Sequence, residues 1–436
     1  MTSTQIETVY AREVFDSRGR PTVEVEIACE GSRPGRAIVP SGASTGVFEA
    51  LELRDGDAGR LQGLGVRKAV EHVNTEVRSA LVGEDAADQQ AVDRLLIELD
   101  GTANKSRLGA NAILGVSLAA VYAAAEAANV RPVDQFRRAW QEHGSGTAPS
   151  LPLPMVNMIS GGKHAGGNLD FQDYLILPVG ATSYPQAFEW IVTVYQHVGK
   201  LLTKSGFEGV LVGEEGGFGP KLKSNEQALD FVVAAIEAAG LRPGEDVCIG
   251  LDVASSHFHH EGKYRLAATG DEELTADDVV NLLEEWVNRY PIISIEDGLD
   301  EDDWDGWQVL TQRLGSRVQL IGDDLFVTNR QRLQRGIVSG VANSVLIKLN
   351  QIGTLTETLQ TLKLALDNGY WPVVSARSGE TEDTTIADLV VATGAGQLKV
   401  GSVARSERLA KYNQLLRLSE SDEFGYAGGA IFDSLR

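Results

Sequence analysis

Five charged residues stand at the ends of short apolar runs, and this placement constrains the chain more than any other feature. Three are acids: Asp252 in CIGLDV, Glu296 in PIISIED and Asp323 in QLIGDD. Two are lysines: Lys348 in SVLIKLN and Lys399 in GQLKVGS. From Glu296 to Asp323 is 27 positions, and from Asp323 to Lys348 is 25. One strand-plus-helix unit of a parallel barrel takes roughly 30 residues. Such a barrel gathers the C-terminal ends of its strands around one mouth, so charges far apart in sequence would converge. Three converging carboxylates repel one another unless a cation separates them, and a hard divalent ion with oxygen ligands suits. A lysine beside a metal can have its pKa lowered enough to act as a base. The pattern outlines a metal-assisted proton abstraction next to a carboxylate.

The rest of the chain fits that frame. Residues 6 to 40 alternate in the manner of strands, with turns at DSRGRP and before RAIVP, which predicts an antiparallel meander. Helical patterns follow near 67–82, 87–99 and 109–128. This block reads as an N-terminal α+β capping domain over 1–140. Gly, Ser and Pro cluster in a linker around 143–154. Eight candidate strands then alternate with helices: PMVNMIS, YLILPV, VCIGLDV, IISIED, QLIGDD, SVLIKLN, WPVVSAR and QLKVG. Eight such units predict an α/β, TIM-like (β/α)8 barrel over 141–436, with the site at the C-terminal ends of its strands. The first two strands lack a helix between them, so the barrel is expected to start irregularly.

Charge and composition bound the function. A net charge of -22 and a pI near 4.8 argue against nucleic acid or an anionic membrane as partner. No apolar stretch is expected to cross a membrane, and the N-terminus lacks the pattern of a signal peptide. Cys29 and Cys248 lie far apart and read as buried small residues in a reduced, cytoplasmic compartment. His257, His259 and His260 resemble a metal cluster, but a solvated loop is the expectation.

Seven long segments, in order, carry a resemblance: SGASTGVFEALELRDGD, VGEEGGFGP, SIEDGLDEDDWDGW, GDDLFVTN, KLNQIGTLTET, SARSGETEDTTIADLVVATGAGQLKVGS and RSERLAKYNQLLR. Together they resemble the enolases over nearly the whole chain. The resemblance implies a magnesium-dependent, reversible dehydration of 2-phosphoglycerate to phosphoenolpyruvate through an enolate (aci-carboxylate) intermediate, with two Mg2+ ions per site. It implies that Asp252, Glu296 and Asp323 hold the first ion, and that Ser44 in the SGAST loop helps bind the second. Lys348 would be the base and Glu215 the acid that protonates the departing hydroxide. Lys399 would pair with the substrate carboxylate, Arg377 and Ser378 would hold its phosphate, and His164, Gln172 and Asp173 would line the mouth. Lys348 must be neutral to accept a proton, which neighbouring cations would favour; Glu215 must be protonated, which crowding by carboxylates would favour. A homodimer or higher homo-oligomer is implied as well.

The chain departs from the usual enolase pattern near the mouth. Ala376 stands where histidine precedes the Arg-Ser pair, Lys163 where serine precedes His164, and Asp173 where glutamate follows Gln172. Glu214 and Val400 also differ, replacing a common aspartate and threonine. These changes leave the enolate-forming residues intact. They suit either an enolase proper or a paralogue of specialised phosphonate metabolism resembling carboxyphosphonoenolpyruvate synthase, acting on a three-carbon phosphorylated acid. A non-catalytic protein on an enolase scaffold is the third alternative.

Overall fold

The computed structural model describes residues 3–42, 46–144, 146–270 and 272–435. In the N-terminal block, β1 (Ile6–Phe15) pairs antiparallel with β2 (Pro21–Cys29), and β2 with β3 (Gly35–Ile38), forming the expected meander. Helical turns over 67–81 lead to α1 (Gln89–Asp100), α2 (Ala110–Ala128) and α3 (Pro132–Glu142). The alanine-rich α2 crosses the sheet so closely that a Cβ on Gly35 would lie 2.1 Å from the backbone of Ala123. Only glycine permits that approach. By length and composition α2 could cross a bilayer, contrary to the sequence expectation, yet 89% of its apolar window is buried inside the fold. It is a core helix. The sequence reading also missed α3, although Pro132 at its start is an N-terminal signal and Val133, Phe136 and Trp140 form its buried stripe.

Eight strands close the barrel: β4 (Leu153–Ser160), β5 (Asp173–Leu177), β6 (Cys248–Asp252), β7 (Ile292–Glu296), β8 (Gln319–Gly322), β9 (Ser344–Ile347), β10 (Trp371–Ser375) and β11 (Gln397–Gly401). Their order around the ring is β7-β8-β9-β10-β11-β4-β5-β6. The barrel is not wholly parallel. β5 runs antiparallel to both neighbours, pairing Ser160 with Asp173 on one side and Asp173 with Asp252 on the other. The cause is the missing crossover: β4 and β5 are joined by a short connection, and without a helix to bring the chain back it must reverse. The N-terminal end of β5, not its C-terminal end, therefore faces the mouth.

Strand alternation builds the interior in layers. Met155, Ile321, Leu346 and Val373 pack in an apolar cluster inside the barrel, closed at its far end by Phe432. Two residues further toward the mouth along the same strands come Asn157, Asp323, Lys348 and Ser375. One period of two thus separates the apolar layer from the charged one. The histidine-rich segment forms part of a small sheet, His259–His260 with Lys263–Leu266 and Glu272–Leu274. There His259 pairs with Asp300 at 3.2 Å while the His260 side chain is exposed. Among the described residues, none of these histidines joins a metal-ligating cluster.

Candidate active site

The five charges converge. Lys399 Nζ donates to Asp252 Oδ2 at 2.8 Å and to Glu296 Oε2 at 2.7 Å, bridging two acids that sit side by side in register on β6 and β7. Lys348 Nζ lies 2.5 Å from Asp323 Oδ2, whose other oxygen accepts from Gln351 Nε2 at 2.8 Å. Gln172 Nε2 donates to Asp252 at 3.1 Å. Asp252, Lys348, Arg377, Ser378 and Lys399 line one cavity with His164, Gln172, Glu215 and Ala376. Ser44 lies outside the described residues.

The electrostatics follow from this crowding. Burial pushes the Glu296 carboxyl well above its ordinary range, and Asp252 adds to that. For Asp252 burial acts the same way, but Lys399 outweighs it and holds the group low. Burial would lower both lysines, yet their carboxylate partners win: Asp323 raises Lys348, while Asp252 and Glu296 raise Lys399. Asp323 thus favours the ammonium form of Lys348, the reverse of what a base requires. The expected neighbouring cations do act on it, but Asp323 at hydrogen-bond distance dominates.

Glu215 also departs from expectation. Burial raises its pKa, but the positive charges of His164, Arg408, Lys399 and Lys348 outweigh burial and hold it below the ordinary value. The sequence reading counted the nearby carboxylates and not the cations. Beside it, His164 Nδ1 donates to Asp173 Oδ2 at 2.8 Å and His164 Nε2 lies 3.8 Å from Glu215 Oε1. Burial alone would push His164 down, but Asp173 and Glu215 raise it to about 9.

The phosphate-binding candidates stand on the strand β10 exit. Arg377 points both terminal nitrogens at Glu49, at 3.0 and 3.1 Å, and donates to Asn350 at 3.0 Å. Arg408, fully buried, donates to the carbonyls of Arg377 at 2.6 Å and Val400 at 2.9 Å and so fixes the turn. Glu49, Asn350 and Arg408 are functional neighbours that sequence reasoning missed. Each lies inside a segment that carried the resemblance, but nothing in the residue itself announced a partner.

A second acidic cluster, Asp297 with Asp323 and Asp324, brings its carboxylate oxygens within 4.8 Å of one another. Asp297 accepts from the backbone N–H groups of Asp323 and Asp324 at 2.9 and 2.8 Å, so it braces the turn that presents Asp323. The candidate ligands Asp252, Glu296 and Asp323 present oxygen donors only, all nine-tenths buried and already set against ammonium groups. That donor chemistry fits a hard divalent cation.

Comparison with known families agrees with the geometry. A family model described as the enolase N-terminal domain matches residues 6–134. A second, described as the enolase C-terminal TIM barrel domain, matches residues 148–434. With both halves matched in order and the charged mouth assembled, the chain belongs to the enolase family.

Proposed function

We propose that this chain catalyses the magnesium-dependent, reversible dehydration of 2-phosphoglycerate to phosphoenolpyruvate through an aci-carboxylate intermediate. One arrangement carries the reading: Lys399 bridges Asp252 and Glu296, Lys348 pairs with Asp323, and Asp252 and both lysines line one cavity with Arg377. Asp252, Glu296 and Asp323 would hold one magnesium ion, and Ser44 would contribute to a second. Bound there, magnesium supplies positive charge that offsets the dianion formed when a carbon next to a carboxylate is deprotonated.

The chain's own groups do the rest. Lys348 takes the proton from C2 once Asp323 is engaged elsewhere and the amine is neutral. Lys399 pairs with the substrate carboxylate, which draws it from Asp252 and Glu296. Arg377 offers the forked donor that phosphate favours, assisted by Ser378. Gln172 positions Asp252 and closes that side of the mouth. The hydroxide departs toward the wall formed by His164 and Glu215, where its proton is supplied. The working form is a homodimer or larger homo-oligomer in the cytoplasm, which light scattering of the purified protein would check.

A second reading is favoured by Ala376, a small residue on the cavity wall next to Arg377, and by the exposed Lys163 beside His164. Space and added positive charge suit a larger, more anionic substrate, as in a phosphonate-metabolising paralogue such as a carboxyphosphonoenolpyruvate synthase using the same enolate chemistry. The deciding experiment follows phosphoenolpyruvate formation by absorbance, with magnesium, beside Lys348→Ala. Turnover that the substitution abolishes supports dehydration. Lys348-dependent exchange of the C2 proton without turnover supports the second reading. No exchange at all would sink both.

A further inference from the structure

Two adjacent residues beside Lys348 adopt a backbone that their side chains oppose. Val327 and Thr328 have φ of +44° and +53°, in the left-handed region, and both are completely buried. A β-branched residue is disfavoured there, and glycine or asparagine is the usual occupant. The surroundings hold the turn in place: the Val327 N–H donates to the Asp323 carbonyl at 2.7 Å, and Thr361 Oγ1 donates to the Thr328 carbonyl at 2.9 Å. Backbone strain of this kind collects at functional sites. The conformation gives no reason for threonine at 328; the side chain does.

That side chain links the two members of the Lys348–Asp323 pair. Thr328 Oγ1 accepts from the backbone N–H of Lys348 at 2.8 Å. Its single proton goes to Gln351 Oε1 at 2.8 Å, with the Leu346 carbonyl at 3.3 Å as the weaker acceptor. Gln351, buried as well, donates from Nε2 to Asp323 Oδ1 at 2.8 Å and to Glu49 Oε1 at 3.3 Å. These partners fix the amide, because turning it over would set Oε1 against two carboxylates. Asp323 Oδ1 is held in this way, and Oδ2 is left facing Lys348 Nζ at 2.5 Å.

We infer that Thr328, acting directly on Lys348 and through Gln351 on Asp323, is a positioning residue that keeps the base and the candidate metal ligand in one register. One hydroxyl sets how far Lys348 reaches into the cavity and which way Asp323 turns. Neither Thr328 nor Gln351 lines that cavity, so each acts only through another residue. A cation taken up at Asp323 Oδ2 would draw that oxygen from Lys348, while Gln351 keeps Oδ1 in place and Thr328 keeps the amine at its depth. The hydroxyl is therefore worth the strained backbone that carries it.

The inference rests on the proposed dehydration, and the experiment separates the two. Chelator-treated native chain, Thr328→Val, Thr328→Ser and Gln351→Leu are compared by calorimetric magnesium binding, by C2-proton exchange in deuterated buffer at saturating magnesium, and by unfolding in urea. Thr328→Val keeps the branched shape and deletes the hydroxyl. It should bind magnesium about 10–100-fold more weakly and lose more than about tenfold in the kcat of exchange, with KM within about threefold. Thr328→Ser restores the hydroxyl and should stay within about threefold of the native chain in both. Gln351→Leu cuts the link to Asp323 but leaves the Lys348 N–H bonded to Thr328. Its magnesium binding should weaken about 10–100-fold while exchange at saturating magnesium stays within about tenfold. A general loosening of the turn would lower stability in urea without that split. Native behaviour in Thr328→Val, failure of Thr328→Ser alongside Thr328→Val, or native magnesium binding in Gln351→Leu would each overturn the inference while the dehydration reading stands. If Thr328→Val does not fold, the serine and leucine variants decide. If the native chain binds magnesium but neither exchanges nor forms phosphoenolpyruvate, the dehydration reading fails, and the magnesium titrations still judge the Thr328–Gln351 link.

Discussion

Lys399→Met should destabilise the metal-free barrel in a way that both pH and magnesium reverse. Lys399 is the only cation hydrogen-bonded to both Asp252 and Glu296 among the described residues, at 2.8 and 2.7 Å, and all three side chains are more than nine-tenths buried. Removing one partner of a buried ion pair costs about 3–5 kcal/mol, because the remaining charge is stranded. Here two carboxylates are stranded side by side. The protein can relieve this by binding a proton, and Glu296 is the group that takes it, since burial and Asp252 already push its pKa well up. The penalty should therefore shrink as pH falls and be smaller at pH 5.5 than at pH 8. Chelator-treated native and variant proteins would be unfolded in urea at both pH values and again with magnesium. We expect a difference of about 3–5 kcal/mol at pH 8 without metal, equivalent to a fall of roughly 6–10 °C in the melting temperature of the barrel. Magnesium, which needs the same two carboxylates, should recover stability more in the variant than in the native chain. A difference below about 1 kcal/mol at pH 8, or one equal at both pH values, would refute the reasoning, because it would mean that the two acids are not held apart by Lys399.

Two further outcomes follow from single contacts. Glu49 occupies both arms of the Arg377 fork, so Glu49→Gln should tighten binding of inorganic phosphate about three- to tenfold in a calorimetric titration, and unchanged or weaker binding would show that Glu49 orients the arginine instead. His164 has a folded pKa of about 9 against an ordinary 6.5, so its stabilising contribution is intact below pH 6.5 and is lost as pH rises through 9. Stability should fall by about 3 kcal/mol across that window on this account, and His164→Gln should flatten the slope; a slope unchanged by the substitution would place its origin elsewhere.

The parts of this molecule legible in the sequence are those set by local periodicity. An apolar strand that ends in Asp252 or Glu296 needs no tertiary knowledge to be recognised, and a repeat of 25 to 27 residues is enough to place Glu296, Asp323 and Lys348 around one mouth. What the sequence hid are properties of pairs from different strands. The reversal of β5 depends on an absent helix, and its consequence is that Asp173 reaches His164 rather than the barrel floor. The ionisation of Glu215 depends on Arg408 and His164, which are 193 and 51 positions away from it and approach only when the ring closes. The same holds for Lys348: its sequence neighbours SVLI and LNQ carry no charge, and the carboxylate that keeps it protonated comes from the preceding strand. Residue identity therefore announced that acids, bases and cations would meet. Which of them carries the proton is decided by distances of 2.5 to 3.8 Å that no spacing rule encodes. A family pattern transfers positions more safely than it transfers protonation states, and Lys348, expected as a neutral base but pushed toward the ammonium by Asp323, is the point at which this chain tests that distinction.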